Sequence, residues 1–119
     1  MIFDEAQLRS ALTKAWSLET AKQWTPDIPA AGQCNVTTVV VHDLFGGDNL
    51  KTSLPDYEVD HYNNRIDGEV VDLTDIQFSA PVHYDDEPAS REEAMECVQY
   101  NEYETLHASL LAHLRQRSD

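Results

Sequence analysis

The chain has 119 residues, 41% of them hydrophobic, which suits one domain over residues 1–119 with a modest core. Its formal net charge of −14, from 22 acidic and 8 basic residues, argues against nucleic-acid and anionic-membrane partners, because phosphate contacts need Lys and Arg. No apolar run approaches the ~20 residues of a membrane span, and the two cysteines make no disulfide framework.

Asp4 and Glu5 stand where a secretory signal needs positive charge, so a reducing cytoplasm is the expected setting. The acidity itself has two readings, solubility or a surface that meets a cationic partner.

From Asp4 to about Trp16 the sequence predicts an amphipathic helix. Asp4 is its cap, Gln7 holds the capping-box position, and Leu8, Leu12, Ala15 and Trp16 recur on one face. Trp16 and Trp24 are core residues or pocket walls. Residues 25–32 form a proline-punctuated loop. The stretch 34–45 reads two ways. Thr37 to Val41 has strand propensity, whereas Val36, Val39, Val40 and Leu44 fall at helical spacing before the Gly46-Gly47 stop. The spacing and flanks favour helix over a propensity bias of ~0.5 kcal/mol per valine.

Further on, Asn49 to Ser53 reads as a strand ended by Pro55, and Tyr57 to Ile66 and Glu69 to Leu73 read as strands joined by Asp67-Gly68. Asp85, Asp86 and Glu87 read as a solvated charge run. Ser90 with Glu93 makes a capping box for a helix through about Tyr100. A second helical stretch carries the stripe Leu106, Leu110, Leu114. The expected class is α+β, a small antiparallel sheet packed on helices.

The hairpin carries the chemistry. With Asp67-Gly68 as a two-residue turn, the pairs run Ile66–Glu69, Arg65–Val70, Asn64–Val71, Asn63–Asp72, Tyr62–Leu73 and His61–Thr74. One face then holds Tyr62, Ile66, Val71 and Leu73, and the other His61, Asn63, Arg65, Asp72 and Thr74. His61 and Asp72 become diagonal neighbours roughly 7–8 Å apart at the backbone, within side-chain reach. A one-residue slip would separate them.

Cys34 opens the predicted helix after Gly32-Gln33. Unpaired N–H groups and the helix dipole at that position favour a thiolate. The pattern points to nucleophilic catalysis, with Cys34 as nucleophile, His61 as general base and acid, and Asp72, or Asn63 as its rival, orienting the imidazole. The Cys34 N–H, with Gln33 or Gln23 as a side-chain donor, would serve a developing oxyanion. The plain alternatives are a buried helix cysteine, an exposed strand histidine and a surface carboxylate.

A cysteine opening a helix, followed by His and Asp on consecutive strands, resembles the papain-like and transglutaminase-like cysteine enzymes. More closely, Ala15-Trp16-Ser17, Thr20, Trp24, Pro29 to Cys34, Gly46-Gly47, His61-Tyr62 with Asn64, and Asp72-Leu73-Thr74 with Gln77-Phe78 resemble the small bacterial YunG-like proteins. The likeness covers about residues 8 to 80.

It implies a papain-like/transglutaminase-like core and attack on a peptide, amide or thioester substrate through Cys34, His61 and Asp72. Gln33, Gln23, Asn63 and Trp24 would lie around the substrate. Asn63 departs from the wider pattern, which favours an aromatic there, so the implied triad lacks that aromatic lid.

No cofactor is expected. Cys34, His42, His61 and Cys97 show no metal-ligand spacing, and Gly46-Gly47 lacks the Lys-Ser/Thr of a phosphate loop. Cys97 reads as a structural mid-helix residue. The reading from a different class is a non-catalytic acidic binding or inhibitory module on the same fold.

Overall fold

The computed structural model describes residues 2–54 and 59–116. Helix α1, Glu5–Ala15, begins where Asp4 Oδ1 accepts the Gln7 N–H at 3.0 Å, and it buries Leu8, Ala11, Leu12 and Ala15. Helix α2, Cys34–Phe45, is the ambiguous stretch. It is helical despite its β-branched residues, with Val36, Val39, Val40 and Val41 all buried. Burying a valine is worth ~1.5–3 kcal/mol, several times its helix-propensity deficit.

Four strands follow in one antiparallel sheet of order β3-β2-β1-β4: β1 Asp48–Leu54, β2 Val59–Ile66, β3 Glu69–Val71 and β4 Glu87–Ala89. Gly47 lets β1 start hard against β2. Its φ is 79°, and a Cβ there would stand 2.0 Å from the Arg65 carbonyl oxygen. The expected strand end at Pro55 and strand start at Tyr57 lie outside the described residues.

The hairpin turns on Asp67 (φ 54°) and Gly68 (φ 83°), the type I′ geometry that Asp-Gly favours. Asn64↔Val71, Arg65↔Val70 and Ile66↔Glu69 pair in the expected register. The ladder then stops, and the expected pairs 63–72, 62–73 and 61–74 do not form. Two side chains take the backbone groups instead. Asn63 Nδ2 donates to the Val71 carbonyl at 3.2 Å, and Asp72 Oδ1 accepts both the N–H and the hydroxyl of Thr74 at 3.2 Å. The chain bends into a 3-10 turn at Asp75–Gln77.

Two further departures lie downstream. Glu87–Ala89, which takes in the last residue of the charge run, is an edge strand on β1, the sheet position where Pro88 is tolerated. The Ser90–Glu93 capping box is present, but its helix, α3, ends at Met95. A second cap ends the run, because Glu102 Oε1 takes the Gln99 N–H at 2.8 Å and α4 begins afresh over Tyr100–Gln116. Helix α2 packs on β1 and β2 and against α3 and α4, while α1 lies along α4. Leu106, Leu110 and Leu114 join Leu8, Leu12, Trp16, Val40, Ile66 and Leu73 in the core. Among the described residues no helix is long and apolar enough to cross a membrane.

Candidate functional site

Cys34 is the first residue of α2, where the backbone N–H has no carbonyl one turn earlier to bond. The loop before it is clamped from inside. Thr20 Oγ1 donates to Gln33 Oε1 at 2.8 Å, Gln33 Nε2 donates to the Ser17 carbonyl at 3.5 Å, and Trp16 Nε1 donates to Thr37 Oγ1 at 2.9 Å. Gln33 is 0% exposed, so its amide braces this loop. Gly32 (φ 71°) completes the entry, with the Gln23 side chain lying over it.

His61 and Asp72 meet even though β3 ends before Asp72. His61 Nε2 stands 2.7 Å from Asp72 Oδ2, with the two residues 2% and 8% exposed. Tyr84 Oη donates to the same Oδ2 at 2.6 Å, Thr74 holds Oδ1, Gln77 Nε2 donates to Thr74 Oγ1 at 2.9 Å, and Arg9 Nη2 donates to the Asp72 carbonyl at 3.0 Å. The Phe78 ring sits edge-on to His61 at 4.9 Å between centroids, and Tyr84 lies tilted at 6.3 Å. Aromatic cover therefore reaches the imidazole from the 78–84 segment.

The electrostatics follow from these contacts. Burial pulls the His61 imidazolium down, but hydrogen bonds to Asp72 and then to Cys34 outweigh it and push its pKa up to about 9. Burial raises Asp72, yet the His61, Tyr84 and Thr74 hydrogen bonds hold it below the ordinary carboxylate value. Both shifts favour the imidazolium–carboxylate form of the pair. Nε2–H faces Asp72, which leaves Nδ1–H for the thiol. The Cys34 thiol donates to Asn35 Oδ1 at 3.3 Å, and Asn35 is fixed by its own Nδ2 bond to the Ala94 carbonyl at 3.0 Å.

Cys34 and His61 line an open groove of about 580 Å3 whose walls include Gln23, Val36, Phe78, Glu96 and Cys97. Of the other residues singled out in the sequence, Gln23 is on this wall. Gln33 is locked in the loop, Trp24 packs on the core, and Asn63 lines a separate cavity of about 330 Å3 behind Asp72, beside Arg9 and Tyr84. Cys97, read as a mid-helix residue, stands exposed after α3 and on the groove wall. Tyr84 and Arg9 were not legible as site residues, because neither lies in a periodic or motif-bearing stretch near His61. Among the described residues no group of three or more His, Cys, Asp or Glu is placed to hold a metal ion.

A family model described as "YunG protein" matches residues 4–115. A Bacillus subtilis (strain 168) protein named "Uncharacterized protein YunG" is 38% identical over 108 residues, covering 91% of this chain and 92% of its own. No solved structure matches.

Proposed function

The chain belongs to the YunG family, and we propose that it is a cysteine-dependent hydrolase, deamidase or acyltransferase with a papain-like/transglutaminase-like core. One observation carries the reading: a buried imidazole bridging a carboxylate and a thiol at a helix N-terminus, on the wall of an open groove. In the reaction, the Cys34 thiolate attacks a carbonyl carbon, and the Cys34 backbone N–H stabilises the oxyanion. The C–N or C–S bond then breaks, and His61 gives its proton to the departing amine, ammonia or thiol. Water or an amine attacks the thioester, His61 takes the attacker's proton, and Cys34 leaves as thiolate. Asp72 keeps the imidazole oriented throughout.

The test is selective alkylation. At pH 7, iodoacetamide should label Cys34 at least about tenfold faster than the more exposed Cys97, because a thiolate held by an imidazolium outreacts a free thiol. Equal slow labelling of both would favour a non-catalytic acidic binding module.

A further inference from the structure

The groove beside Cys34 has an uneven charge. Its described lining includes the carboxylates of Asp60, Glu93, Glu96 and Glu102 and no Lys or Arg side chain. Two of the four are engaged. Glu93 Oε2 pairs with Lys51 Nζ at 2.8 Å, and Glu102 Oε1 caps α4 through the Gln99 N–H. Asp60 and Glu96 are exposed on the wall and form no ion pair among the described residues. The Tyr62 phenol, also on the wall, feels the result: burial first, then Asp60, Glu93 and Glu96 hold it above its ordinary value, against Lys51. Val36, Val59 and Val98 line the same groove and give it apolar surface that suits a hydrocarbon stem.

We propose that the substrate or acyl acceptor entering this groove carries a cationic amine or guanidinium on an aliphatic stem, seated between Asp60 and Glu96. The inference rests on the reading of Cys34 as nucleophile. The site is the groove at the thiol, and the carboxylates set which sign of charge it admits. His61 on the wall is paired with Asp72, so the groove keeps an excess of negative charge. A partly enclosed wall with such an excess focuses the field and raises local counter-charge, an effect that fades with salt.

The probe is a set of three methanethiosulfonates of similar size, bearing a trimethylammonium, a neutral methyl or a sulfonate group. Each gives a mixed disulfide with Cys34 and releases methanesulfinate. Rates are measured on the full chain carrying Cys97→Ser and divided by those of a small free thiol. The cationic reagent should exceed the anionic one by about tenfold at low salt. Asp60→Asn with Glu96→Gln should cut that preference at least about threefold more than Asp67→Asn with Glu69→Gln, an equal change of charge at the exposed hairpin turn.

Equal effects of the two double variants, or no preference at all, overturn the proposal. The neutral reagent separates the two claims. If it labels Cys34 no faster than the free thiol, the nucleophile reading fails, and the charge ratio still reports on the groove.

Discussion

The molecule builds an aspartate–tyrosine–cation trio twice. In one, Asp72 accepts from Tyr84 Oη at 2.6 Å and from His61 at 2.7 Å. In the other, Asp43 near the end of α2 accepts from Tyr103 Oη at 2.5 Å and from Arg91 Nε and Nη2 at 3.0 and 2.9 Å. Both carboxylates are held below their ordinary value, Asp72 by His61 and Tyr84 against burial, Asp43 first by Arg91. The cation makes the difference. Arg91 is partly exposed and always charged, so its trio ties α2 to α3 and α4 and can do no proton chemistry. His61 is buried, can lose its proton, with a pKa raised to about 9, and has a second nitrogen for a thiol. Similar geometry gives a fastener in one place and, in the proposed reaction, a proton carrier in the other.

The largest expected effect breaks the symmetry of the two cations. His61→Gln should slow Cys34 alkylation at pH 7 by about 10- to 100-fold, since the proposed reading makes this imidazole the group that activates the thiol. Arg91→Gln should leave that rate unchanged and cost only about 0.5–1 kcal/mol of stability, the range for a partly exposed pair. Rates are read by mass spectrometry of the Cys34 peptide, and stability by urea unfolding. Comparable slowing by both variants would mean that Cys34 responds to fold loosening instead of to His61.

Next come the aspartates. Asp72→Asn should lower Cys34 alkylation about tenfold, because an amide fixes the imidazole tautomer wrongly and removes the charge beside it. Asp43→Asn and Asp67→Asn should do nothing to that rate. Asp67 in particular sits at φ 54° in a turn that Asn-Gly also makes. Equal movement for Asp67→Asn and Asp72→Asn would disqualify Asp72 as the orienting residue.

The contrast between the two trios was only half visible in the sequence. Periodicity placed α1, α2 and the leucine stripe of α4, and Asp67-Gly68 set the register through Val71. Those signals are local, and they set the strands that lead to His61 and Asp72 side by side, although the 63–72 pairing expected to bring the two residues together does not form. What followed Val71 was decided by side chains competing for backbone groups: Asn63 at the Val71 carbonyl and Asp72 on Thr74. No hydrophobic pattern records such competition. Tyr84 and Tyr103 reach their aspartates across 12 and 60 residues, and nothing in either neighbourhood announces the partner. Glu102 as a cap for α4 likewise depended on a helix break that no Gly or Pro marks.

A third test follows stability against pH. His61 has its pKa raised from 6.5 to about 9 in the fold, so the stability it contributes is complete below about 6.5 and is lost as pH rises through about 9. Thermal midpoints should fall across that window, following a loss of stability on the order of 2 kcal/mol for the buried pair. The fall should shrink in Asp72→Asn, where Cys34 alone still favours the imidazolium, and persist in full in Asp43→Asn, whose arginine does not titrate there. On the acid side Asp72, held low, contributes stability that is present above its ordinary value and lost as pH falls through the lowered one. A wild-type midpoint that stays level from pH 6.5 to 9 would show that the imidazolium is not held in the fold.

The smallest effect separates the two tyrosines. Tyr84→Phe keeps the ring beside His61 and removes only the hydroxyl that donates to Asp72. A hydrogen bond to a charged acceptor contributes ~1.5–3 kcal/mol when buried, and Tyr84 is half-buried, so a loss of about 1 kcal/mol is expected. With one donor fewer, Asp72 rises toward its ordinary value, and the acid-side loss of stability should begin at higher pH. Cys34 alkylation should slow by about two- to fivefold, since the carboxylate that orients His61 is held by Thr74 alone on its outer side. Tyr103→Phe makes the matching change at Asp43. It should cost about 0.5 kcal/mol and leave both the alkylation rate and the acid-side profile where they were. The pair of variants thus reads Tyr84 as a positioning residue acting through Asp72. If the two hydroxyls proved interchangeable in all three measurements, Tyr84 would be a second fastener, and the proposed chemistry would rest on Cys34, His61 and Asp72 without it.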